Sequence, residues 1–362
     1  MNIEKFLREK NYNFKDIVEE FKVIDKFKEV KQNPKFHGEG NVYEHTRLVC
    51  SEVLKLEEWE GLENREKVIL YTAALFHDIG KVITTREEDG QIISPKHAVK
   101  GAKMFRYLAY REYEFDKSIR EEIAALIRYH GLPLYFIEKE DIDYQLIKAA
   151  ESTNMKLLYL LGKCDLLGRY CEDKLALLER VFYFKTYAEE LACFYGPKKF
   201  NNDYTRFLYL TGNKVYPGAE IFDNRSFEVV IMMGLPLAGK DTYIKCNLKG
   251  VKVISLDDIR EELNISPSKD FGKVGAVAFS KAKEYLRKKE SFVWNATNLR
   301  RENRQKLIRL CTSYGAKVKF VYLEVPYREL ILRNNKRERY VPIKVIDNMI
   351  KNMDMLEAEE IC

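Results

Sequence analysis

Histidines and two aspartates are the residues of the first half that could bind a metal ion. All five histidines of this 362-residue chain lie at or before residue 130. The candidate ligands interrupt otherwise apolar stretches and are His45, His77, Asp78, His97, His130 and Asp165. Imidazole and carboxylate together suit first-row divalent metals and Mg²⁺ or Mn²⁺. We therefore expect several helices to bring these side chains together around metal.

The adjacent pair His77 and Asp78 restricts where such a site can lie. Neighbouring residues of a helix point about 100° apart, because the helix has about 3.6 residues per turn. Both side chains reach one ion only at a helix end or in a crevice, and we expect Gly80 to end the helix there. Cations bound at this point would lower the pKa of water and neutralise phosphate oxygens, which makes Asp78 a candidate catalytic residue.

Three more residues lie close in sequence to these ligands. Lys81 and Arg169 could each hold a substrate phosphate, or each could be a solvated surface charge. His37, in the segment KFHGEGNV, could line the mouth of the site or could cap a turn.

The segment MMGLPLAGKDT has the spacing of a phosphate-binding loop. Gly234, four further residues and then Gly239 and Lys240 match the Walker A pattern, between a predicted strand and a predicted helix. Backbone N–H groups of such a loop face the phosphates, and Lys240 is expected to reach the β- and γ-phosphates. Asp241 replaces the usual Ser or Thr, and Thr242 follows it. Asp241 could bind Mg²⁺, or it could mark altered nucleotide handling.

The segment SLDDIR follows the next predicted strand. Asp257 and Arg260 are three residues apart, so one helical face can carry both. The carboxylate could take the proton of an attacking hydroxyl, and the guanidinium could hold a neighbouring phosphate. The alternative is an N-capping carboxylate and a surface ion pair.

Two later segments complete the set of candidates. Asn298, at the end of another predicted strand, could contact an acceptor or nucleotide, alone or with Arg300 or Arg304, or it could form a turn. Arg333 and Arg337 are four residues apart within LRNNKRERYVP. They suit a lid that closes on the transferring phosphate, and the alternative is a solvated basic run.

The elements that must position these residues differ between the two halves. Helical periodicity runs through residues 1–195, and no alternating strand is evident there. Residues 196–226 are rich in turn formers and are interpreted as a connector that packs on one domain. Short β-branched runs then alternate with helical stretches over residues 227–362. We therefore predict an all-α domain, a connector, and an α/β P-loop domain with a parallel sheet.

Composition and charge narrow the class of protein. Apolar residues make up 46% and charged residues 33%, a globular balance that excludes wholesale disorder. From residue 227 onwards there are 26 Lys and Arg against 18 Asp and Glu, whereas the preceding residues carry 36 against 38. The basic second half suits a polyanionic partner such as nucleic acid, although a lysine-rich surface alone would look the same.

The location of the protein follows from cysteines and apolar runs. The seven cysteines have no CxxC spacing and an odd count, which favours reduced thiols. No apolar run reaches membrane-spanning length, and the N-terminus has no apolar signal core. We expect a cytoplasmic protein with no membrane partner.

The order H…HD…H…H…D resembles the HD superfamily of phosphohydrolases, over about residues 30–195. The resemblance implies a first metal bound by His45, His77, Asp78 and Asp165. It also implies that Asp78 bridges to a second ion, and that His97 and His130 match the additional ligands of dinuclear members.

The segments GLPLAGK, DDIR, ATNLR and RNNKR…VP look like the kinase domain of polynucleotide 5′-kinases, over about residues 227–355. Together with the preceding HD pattern they resemble the bacterial bifunctional HD-domain polynucleotide kinases, a family of RNA-repair enzymes. The resemblance implies 5′-hydroxyl phosphorylation by ATP or another nucleoside triphosphate with Mg²⁺. Asp257 matches the general base of that family, and Arg260 matches its acceptor-phosphate clamp.

The same resemblance implies that the HD module removes 2′,3′-cyclic, 2′- or 3′-phosphates with one or two metals such as Mn²⁺, Ni²⁺ or Co²⁺. Both reactions prepare broken RNA ends for an RNA ligase. Two alternatives remain open: an HD nucleotide phosphohydrolase fused to a small-molecule kinase, and an HD enzyme regulated by a non-catalytic, nucleotide-sensing P-loop module.

Overall fold

The computed structural model describes residues 2–266, 270–337 and 340–360. The chain divides into two compact units, Met1–Lys199 and Phe200–Cys362. Cys362 and two positions of the predicted lid, Glu338 and Arg339, lie outside the described residues. Among the helices that are described, none combines the length and apolar character needed to cross a membrane.

The first unit is helical, as the sequence predicts. Its α-helices are α1 (Ile3–Glu9), α2 (Phe14–Val18), α3 (Val42–Leu54), α4 (Asn64–Phe76), α5 (Lys81–Thr84), α6 (His97–Arg111), α7 (Lys117–Tyr129), α8 (Leu132–Tyr135), α9 (Ile142–Ala150), α10 (Met155–Leu167) and α11 (Lys174–Glu190). Two 3₁₀ segments are Lys22–Glu29 and Phe136–Glu138.

Helices α4 and α10 form the centre of the first unit. Every residue of α4 from Val68 to Phe76 is buried, and α10 is nearly as completely buried. A helix that is apolar on all sides is stable only when other elements surround it, and α3, α7 and α11 pack around these two. The two central helices carry His77, Asp78 and Asp165 into the interior, so the polar candidates lie within the core.

Gly80 does not end helix α4, contrary to the sequence prediction. The helix ends at Phe76, and Gly80 lies at the start of the short helix α5. A Cβ at Gly80 would lie 2.0 Å from the carbonyl oxygen of His97 and 2.7 Å from the backbone nitrogen of Gly101. Glycine is therefore required here for close approach of α6, which brings His97 next to the His77–Asp78 pair.

A short antiparallel hairpin lies in the first unit, where the sequence showed no strand pattern. It consists of β1 (Arg86–Glu88) and β2 (Gln91–Ile93), joined through Asp89 and Gly90. The strands are three residues long, so their alternation is too short to recognise. The Asp-Gly turn was the available sequence signal.

The second unit is an α/β domain. Its strands are β3 (Phe227–Met233), β4 (Lys252–Ser255), β5 (Phe292–Asn295) and β6 (Ala316–Tyr322). Its helices are α12 (Asp203–Leu210), α13 (Lys240–Asn247), α14 (Leu256–Glu262), α15 (Phe271–Arg287), α16 (Arg301–Ser313), α17 (Tyr327–Asn335) and α18 (Ile343–Lys351), with a 3₁₀ turn at Ala358–Glu360. Helix α12 and the rest of residues 200–226 belong to this unit, although the sequence pattern indicated no helix there.

The four strands form a parallel sheet in the order β4-β5-β3-β6, which confirms the predicted fold class. Alternate residues of the central strand β3 face opposite layers. Val229 and Ile231 contribute to the core that also holds α15 and α16 residues, whereas Val230 and Met232 pack with Ile244 of α13. The carboxyl ends of the strands therefore share one edge, where ligands of such sheets bind.

Candidate metal centre and phosphate-binding loop

The first group of candidate ligands meets between helices α3, α4 and α10. Nε2 of His45 lies 3.0 Å from Oδ1 of Asp165 and 3.2 Å from Nε2 of His77. Nε2 of His77 lies 3.3 Å from Oδ2 of Asp78. All four side chains are buried, so three helices separated along the chain direct these polar atoms at one another.

The second group forms around the other oxygen of Asp78. Oδ1 of Asp78 lies 3.5 Å from Nε2 of His97 and 3.9 Å from Nε2 of His130. The two imidazole nitrogens are 3.3 Å apart. Asp78 thus turns one carboxylate oxygen towards each group, which is the arrangement that a bridging ligand requires.

Backbone carbonyls set the orientation of three of these histidines. Each ring places its Nδ1 against the carbonyl oxygen three residues earlier: His77 with Ala74 at 2.8 Å, His97 with Ser94 at 2.9 Å and His130 with Ile127 at 2.8 Å. A carbonyl only accepts hydrogen bonds, so Nδ1 must donate and Nε2 presents a lone pair to the centre when the ring is neutral. Metal-binding histidines are held in the same way.

These donors fit a divalent cation at each group. Within each group, two Nε2 atoms with their lone pairs face one another across little more than 3 Å, which is repulsive without a cation or proton between them. Oδ1 of Asp78 is buried and accepts no hydrogen bond from the described residues. A metal ion would supply the missing partner to the nitrogen and oxygen donors alike.

Two buried cations balance the aspartates. Nζ of Lys81 lies 2.7 Å from Oδ2 of Asp78, and Arg169 donates to both oxygens of Asp165, at 3.1 and 2.6 Å. Burial alone would raise the pKa of each carboxyl group, but Lys81 and Arg169, together with the nearby histidines, hold both pKa values well below their usual range. The structure therefore excludes the solvated surface charge that the sequence left open for Lys81 and Arg169.

The buried environment shifts the pKa of these histidines in different directions. Burial lowers the pKa of His130 to about 3, and the neighbouring His97 and His77 add to this effect. Burial also lowers the pKa of His97. For His77, burial is the largest single influence and opposes protonation, but the charge and hydrogen bonding of Asp78, the charge of Asp165 and the carbonyl of Ala74 together outweigh it, so the pKa of His77 is raised. Both histidines of the second group are consequently held in the neutral form near pH 7, the form in which imidazole binds metal.

A pocket of about 530 Å³ opens onto the second group. Its walls include Asp78, His97 and His130. They also include the basic residues Lys81, Arg128, Lys139 and Arg169. The aromatic residues Phe36, Tyr129 and Tyr135 also line this pocket. The basic side chains beside the metal-ligand cluster could bind a phosphate group, and the aromatic side chains could stack on a nucleobase.

Sequence reasoning left His37 between two roles and missed three other residues of this centre, Glu39, Gln32 and Tyr135. His37 lines the pocket, and its Nδ1 lies 2.9 Å from Oε1 of Glu39, a buried carboxylate that the sequence did not single out. Gln32 accepts from Nζ of Lys81 at 2.6 Å. Tyr135 accepts from Nη1 of Arg169 at 3.4 Å. Glu39 lies two residues from His37 within a glycine-rich segment, which was the only sequence signal.

The predicted phosphate loop connects β3 to α13. Gly234 and Gly239 have φ values of 152° and 96°, and Leu237 also has a positive φ of 70°. Gly239 is the N-cap of α13, so the loop leads directly into a helix N-terminus, whose first backbone N–H groups have no partner within the helix. A Cβ at Gly234 would lie 2.5 Å from the carbonyl oxygen of Leu323, so only glycine fits beside the end of β6.

Lys240 lies inside this loop. Its Nζ donates to the carbonyl oxygens of Gly234 at 3.1 Å and Leu235 at 2.8 Å. Burial lowers the pKa of Lys240 to about 8, while the charges of Asp241 and Asp257 act in the opposite direction. The ammonium group is thus held within the turn where the spacing predicts nucleotide phosphates.

Asp241 points along the carboxyl edge of the sheet. Nδ2 of Asn295, the last residue of β5, donates to Oδ1 of Asp241 at 2.7 Å. Oδ1 of Asn295 is buried and has no hydrogen-bond partner among the described residues. Carboxylate and amide oxygens are ligands that Mg²⁺ accepts, and both lie beside the phosphate loop. Thr242 is exposed in the first turn of the same helix.

Asp257 and Arg260 both belong to helix α14, after β4. Ser255 caps this helix through the backbone N–H of Asp258, so capping is not the role of Asp257. Asp257 is exposed, and its charge acts on the pKa of Lys240. Nη1 of Arg260 contacts the carbonyl oxygen of Ser266 at 3.4 Å. The structure thus leaves the Asp257 carboxylate near the loop and available to a substrate.

The two predicted lid arginines lie at the end of helix α17 and just after it. Nη1 of Arg333 donates to the carbonyl oxygen of Leu237 at 3.1 Å, while its Nε donates to Glu329. Arg337 is exposed, and its charge lowers the pKa of Lys240. Both arginines therefore adjoin the phosphate loop.

The side chains of Asn298 and Arg304 form hydrogen bonds within the protein and were candidates for contacting an acceptor or nucleotide. Nδ2 of Asn298 donates to the backbone carbonyl of Met232 at 2.6 Å, and Asn298 has a φ of 48°. Arg304 is fully buried and donates to both carboxylate oxygens of Glu360, at 2.9 and 2.7 Å. Asn298 thus forms the strand-end turn that the sequence left as its alternative, and Arg304 anchors the last described residues.

Fold and site together define a chain with a metal-dependent hydrolase unit and a P-loop, kinase-like unit. Residues 42–155 match the HD domain family, and residues 229–356 match an AAA domain family. The HD match contains five of the six candidate ligands, and Asp165 lies beyond its end. An HD domain and a P-loop domain are thus present in one chain, as the sequence predicted.

Proposed function

We propose that this chain heals broken RNA ends through two separate reactions. The HD unit removes a 2′,3′-cyclic, 2′- or 3′-phosphate, and the P-loop unit phosphorylates a 5′-hydroxyl with ATP or another nucleoside triphosphate. The products, a 3′ end free of phosphate and a 5′-phosphate, are those that an RNA ligase needs. Each activity would belong to one of the two units, the first matching the HD domain family and the second an AAA domain family.

In the HD unit, His45, His77 and Asp165 would hold a first divalent ion, with Asp78 shared between two ions. His97 and His130 would hold the second. Bound divalent ions such as Mn²⁺, Ni²⁺ or Co²⁺ supply Lewis acidity and a water of lowered pKa. The chain's own contribution is to orient each donor and to shield the centre from bulk solvent.

The pocket beside this centre supports a nucleotide as substrate. Lys81, Arg128, Lys139 and Arg169 carry positive charge close to the ligand cluster, where phosphate oxygens would lie. Phe36 is 42% exposed and lines the same pocket, so part of its aromatic side chain is accessible to a base. A phosphate ester with an adjacent base fits this combination better than a free phosphate does.

In the P-loop unit, Lys240 and the backbone N–H groups of Gly239 and its neighbours would bind the triphosphate. Asp241 would bind Mg²⁺ in place of the usual hydroxyl. The carboxylate of Asp257 would take the proton from the 5′-hydroxyl while the hydroxyl oxygen bonds to the γ-phosphorus. At the same time the bond between the γ-phosphorus and the oxygen that bridges it to the β-phosphate breaks.

The substrate contacts follow from the positions of three arginines. Arg260, which lies on the same helix as Asp257, would bind a phosphate of the acceptor strand. Arg333 and Arg337, next to the loop, would neutralise the transferring phosphoryl group. Asn298 stays a weaker substrate-contact candidate, since its amide nitrogen is already bonded to strand backbone.

The observation that carries the proposal is the convergence of six metal-type donors in one unit and of Lys240, Asp241 and Asp257 in the other. The test is a synthetic RNA with a 5′-hydroxyl and a 2′,3′-cyclic phosphate, incubated with ATP and a panel of divalent metals. We expect a 5′-phosphate to appear and the cyclic phosphate to be lost. An RNA with a 5′-phosphate and free 2′- and 3′-hydroxyls should stay unchanged.

Asp241 favours one other function, a P-loop that senses nucleotide and regulates the HD unit. That alternative predicts no phosphate transfer to RNA, while ATP would change the rate of phosphate release by the HD unit. Lys240→Ala would then abolish the response to ATP without any kinase activity to lose. Transfer to nucleosides but not to oligonucleotides would instead support the small-molecule kinase.

A further inference from the structure

Glu39 is a buried carboxylate that links two histidines and a backbone segment. Its side chain is 1% exposed. Oε1 lies 2.8 Å from Nδ1 of His45 and 2.9 Å from Nδ1 of His37. Oε2 accepts from the backbone nitrogen of Tyr170 at 3.1 Å. Both oxygens of a buried acid are therefore committed to specific donors, which is needed to offset its desolvation.

Glu39 lies where the segment before helix α3 meets the segment after helix α10. It precedes helix α3, whose first turn contains His45, while Tyr170 follows helix α10, which contains Asp165. The backbone nitrogen of Gly38 also donates to the carbonyl oxygen of Tyr170 at 2.8 Å. Through Glu39, the segment that carries His45 is tied to the segment that carries Asp165.

His45 differs from the other three candidate histidine ligands in its outer partner. Their Nδ1 atoms face backbone carbonyls, whereas Nδ1 of His45 faces a carboxylate. A carboxylate draws the Nδ1 proton more strongly than a carbonyl and makes Nε2 a better electron donor. Nε2 of His45 is the atom that lies closest to both Asp165 and His77 within the first group.

We infer that Glu39 is a positioning residue for the first metal of the HD unit: it holds His45 with Nε2 directed at that metal and strengthens Nε2 as a ligand. This inference rests on the proposed metal-dependent hydrolase function. It assigns Glu39 to only one of the two ligand groups, because Glu39 makes no contact with His97 or His130 among the described interactions.

Possible ligand atoms of His37, Glu39 and His45 also lie within 4.8 Å of one another, close enough for a metal site of their own. A metal there would have to take Nδ1 of His45 while Nε2 serves the first group, so one imidazole would lose both ring protons. Nδ1 of His37 forms a hydrogen bond with Oε1 of Glu39 at 2.9 Å, and Nδ1 of His45 lies within ion-pair distance of the same oxygen, at 2.8 Å. The outer-partner role needs no such deprotonation.

The test counts and titrates metal in the full-length protein. Wild type, Glu39→Ala and Glu39→Gln are stripped with chelator and titrated with Co²⁺, followed by its visible absorption and by elemental analysis. Glu44→Gln is the matched control, because Glu44 lies next to His45 on α3 but pairs with Arg47 at the surface. His97→Ala reports the loss of the second group.

We expect wild type and Glu44→Gln to bind two ions. Glu39→Ala should weaken one of them by about 10–100-fold and leave the other unchanged. His97→Ala should lose the ion that Glu39→Ala leaves unchanged, so the double variant Glu39→Ala, His97→Ala should bind one ion, with the weakened affinity. Glu39→Gln retains an acceptor oxygen but not the charge, and its loss should be smaller than that of the alanine variant.

Wild-type affinity for both ions in Glu39→Ala would overturn the inference, and so would a third ion in wild type that Glu39→Ala lacks. If Glu39→Ala does not fold by circular dichroism, Glu39→Gln decides, and unchanged affinity there overturns the inference. Absence of metal binding in wild type would instead contradict the proposed hydrolase function.

Discussion

Nζ of Lys81 lies 2.7 Å from Oδ2 of Asp78, and both side chains are buried. The same ammonium group donates to Oε1 of Gln32 at 2.6 Å. Lys81 thus balances the charge of the carboxylate that turns one oxygen to each ligand group. Because a buried carboxylate needs such a partner, this contact predicts how stability should depend on metal.

Lys81→Met should lower the free energy of unfolding of chelator-treated protein by about 3–5 kcal/mol, since Asp78 would remain buried without its cation. A bound divalent ion would replace that charge, so adding metal should stabilise the variant more than wild type. Denaturant unfolding with and without metal measures both effects. Lys55→Met, which removes a surface pair with Glu52, should cost at most about 1 kcal/mol. Equal stability of metal-free Lys81→Met and wild type would contradict the prediction.

The two activities should be separable by single substitutions. Asp78→Ala should abolish phosphate removal and leave 5′-phosphorylation intact, because Asp78 belongs to the first unit. Asp257→Ala should lower kinase activity by about 10²–10⁴-fold, the usual effect of losing a general base, and spare phosphate removal. End-labelling and phosphate-release assays on the same RNA check both. Loss of both activities in each variant would show that the sites are not independent.

Nucleotide binding should weaken as the pH rises through about 8. Burial lowers the pKa of Lys240 to about 8, so above that pH the free protein loses the positive charge that attracts phosphate. By linkage, affinity should fall by up to about tenfold per pH unit above this value. ADP binding in the presence of EDTA removes any contribution from metal. Lys240→Arg should show little pH dependence below about pH 10, because guanidinium stays charged.

The same pKa shift predicts a stability effect of definite sign. The unfolded chain, with an ordinary lysine pKa near 10.4, binds more protons than the folded chain between about pH 8 and that value. The free energy of unfolding of the nucleotide-free protein should therefore gain a rising contribution from Lys240 over this window. Lys240→Met should remove that contribution, which urea unfolding at several pH values would detect.

Gly234→Ala should disable the phosphate loop. The new Cβ would lie 2.5 Å from the carbonyl oxygen of Leu323, and alanine would also adopt a backbone conformation that costs about 1–3 kcal/mol. We expect loss of nucleotide binding together with a lower free energy of unfolding. Gly275→Ala is the control, because that position in helix α15 has open space and alanine there should be neutral or stabilising. Unchanged nucleotide affinity in Gly234→Ala would count against the phosphate loop.

The fold class and most of the candidate residues could be predicted from local patterns. The strand-glycine-lysine spacing around Lys240 and the alternation of strands and helices are short-range features, so they survive without tertiary information. The HD doublet and the helical periodicity around it identified the first unit in the same way. Structure and family matches agree with these predictions.

Other features depended on contacts between distant segments. Gly80 was read as a helix terminator, yet it is glycine because the backbone of His97 packs against it. In the sequence, Lys81 and Arg169 could equally have been surface charges. In the structure they are buried against Asp78 and Asp165, whose negative charge they balance. Nothing local distinguishes a buried ion pair from an exposed one, since burial depends on what packs over it.

The amino-acid sequence alone determined which chemical groups this protein carries and in which half, because residue type and local spacing are properties of the chain. Only the tertiary structure decided that Asp78 directs one carboxylate oxygen at each of two histidine pairs. It also decided that the carboxylate of Glu39 lies beside Nδ1 of His45, on the side of the ring away from the other ligands. These relationships join helices far apart in sequence, and their distances follow from side-chain packing, which no local pattern encodes.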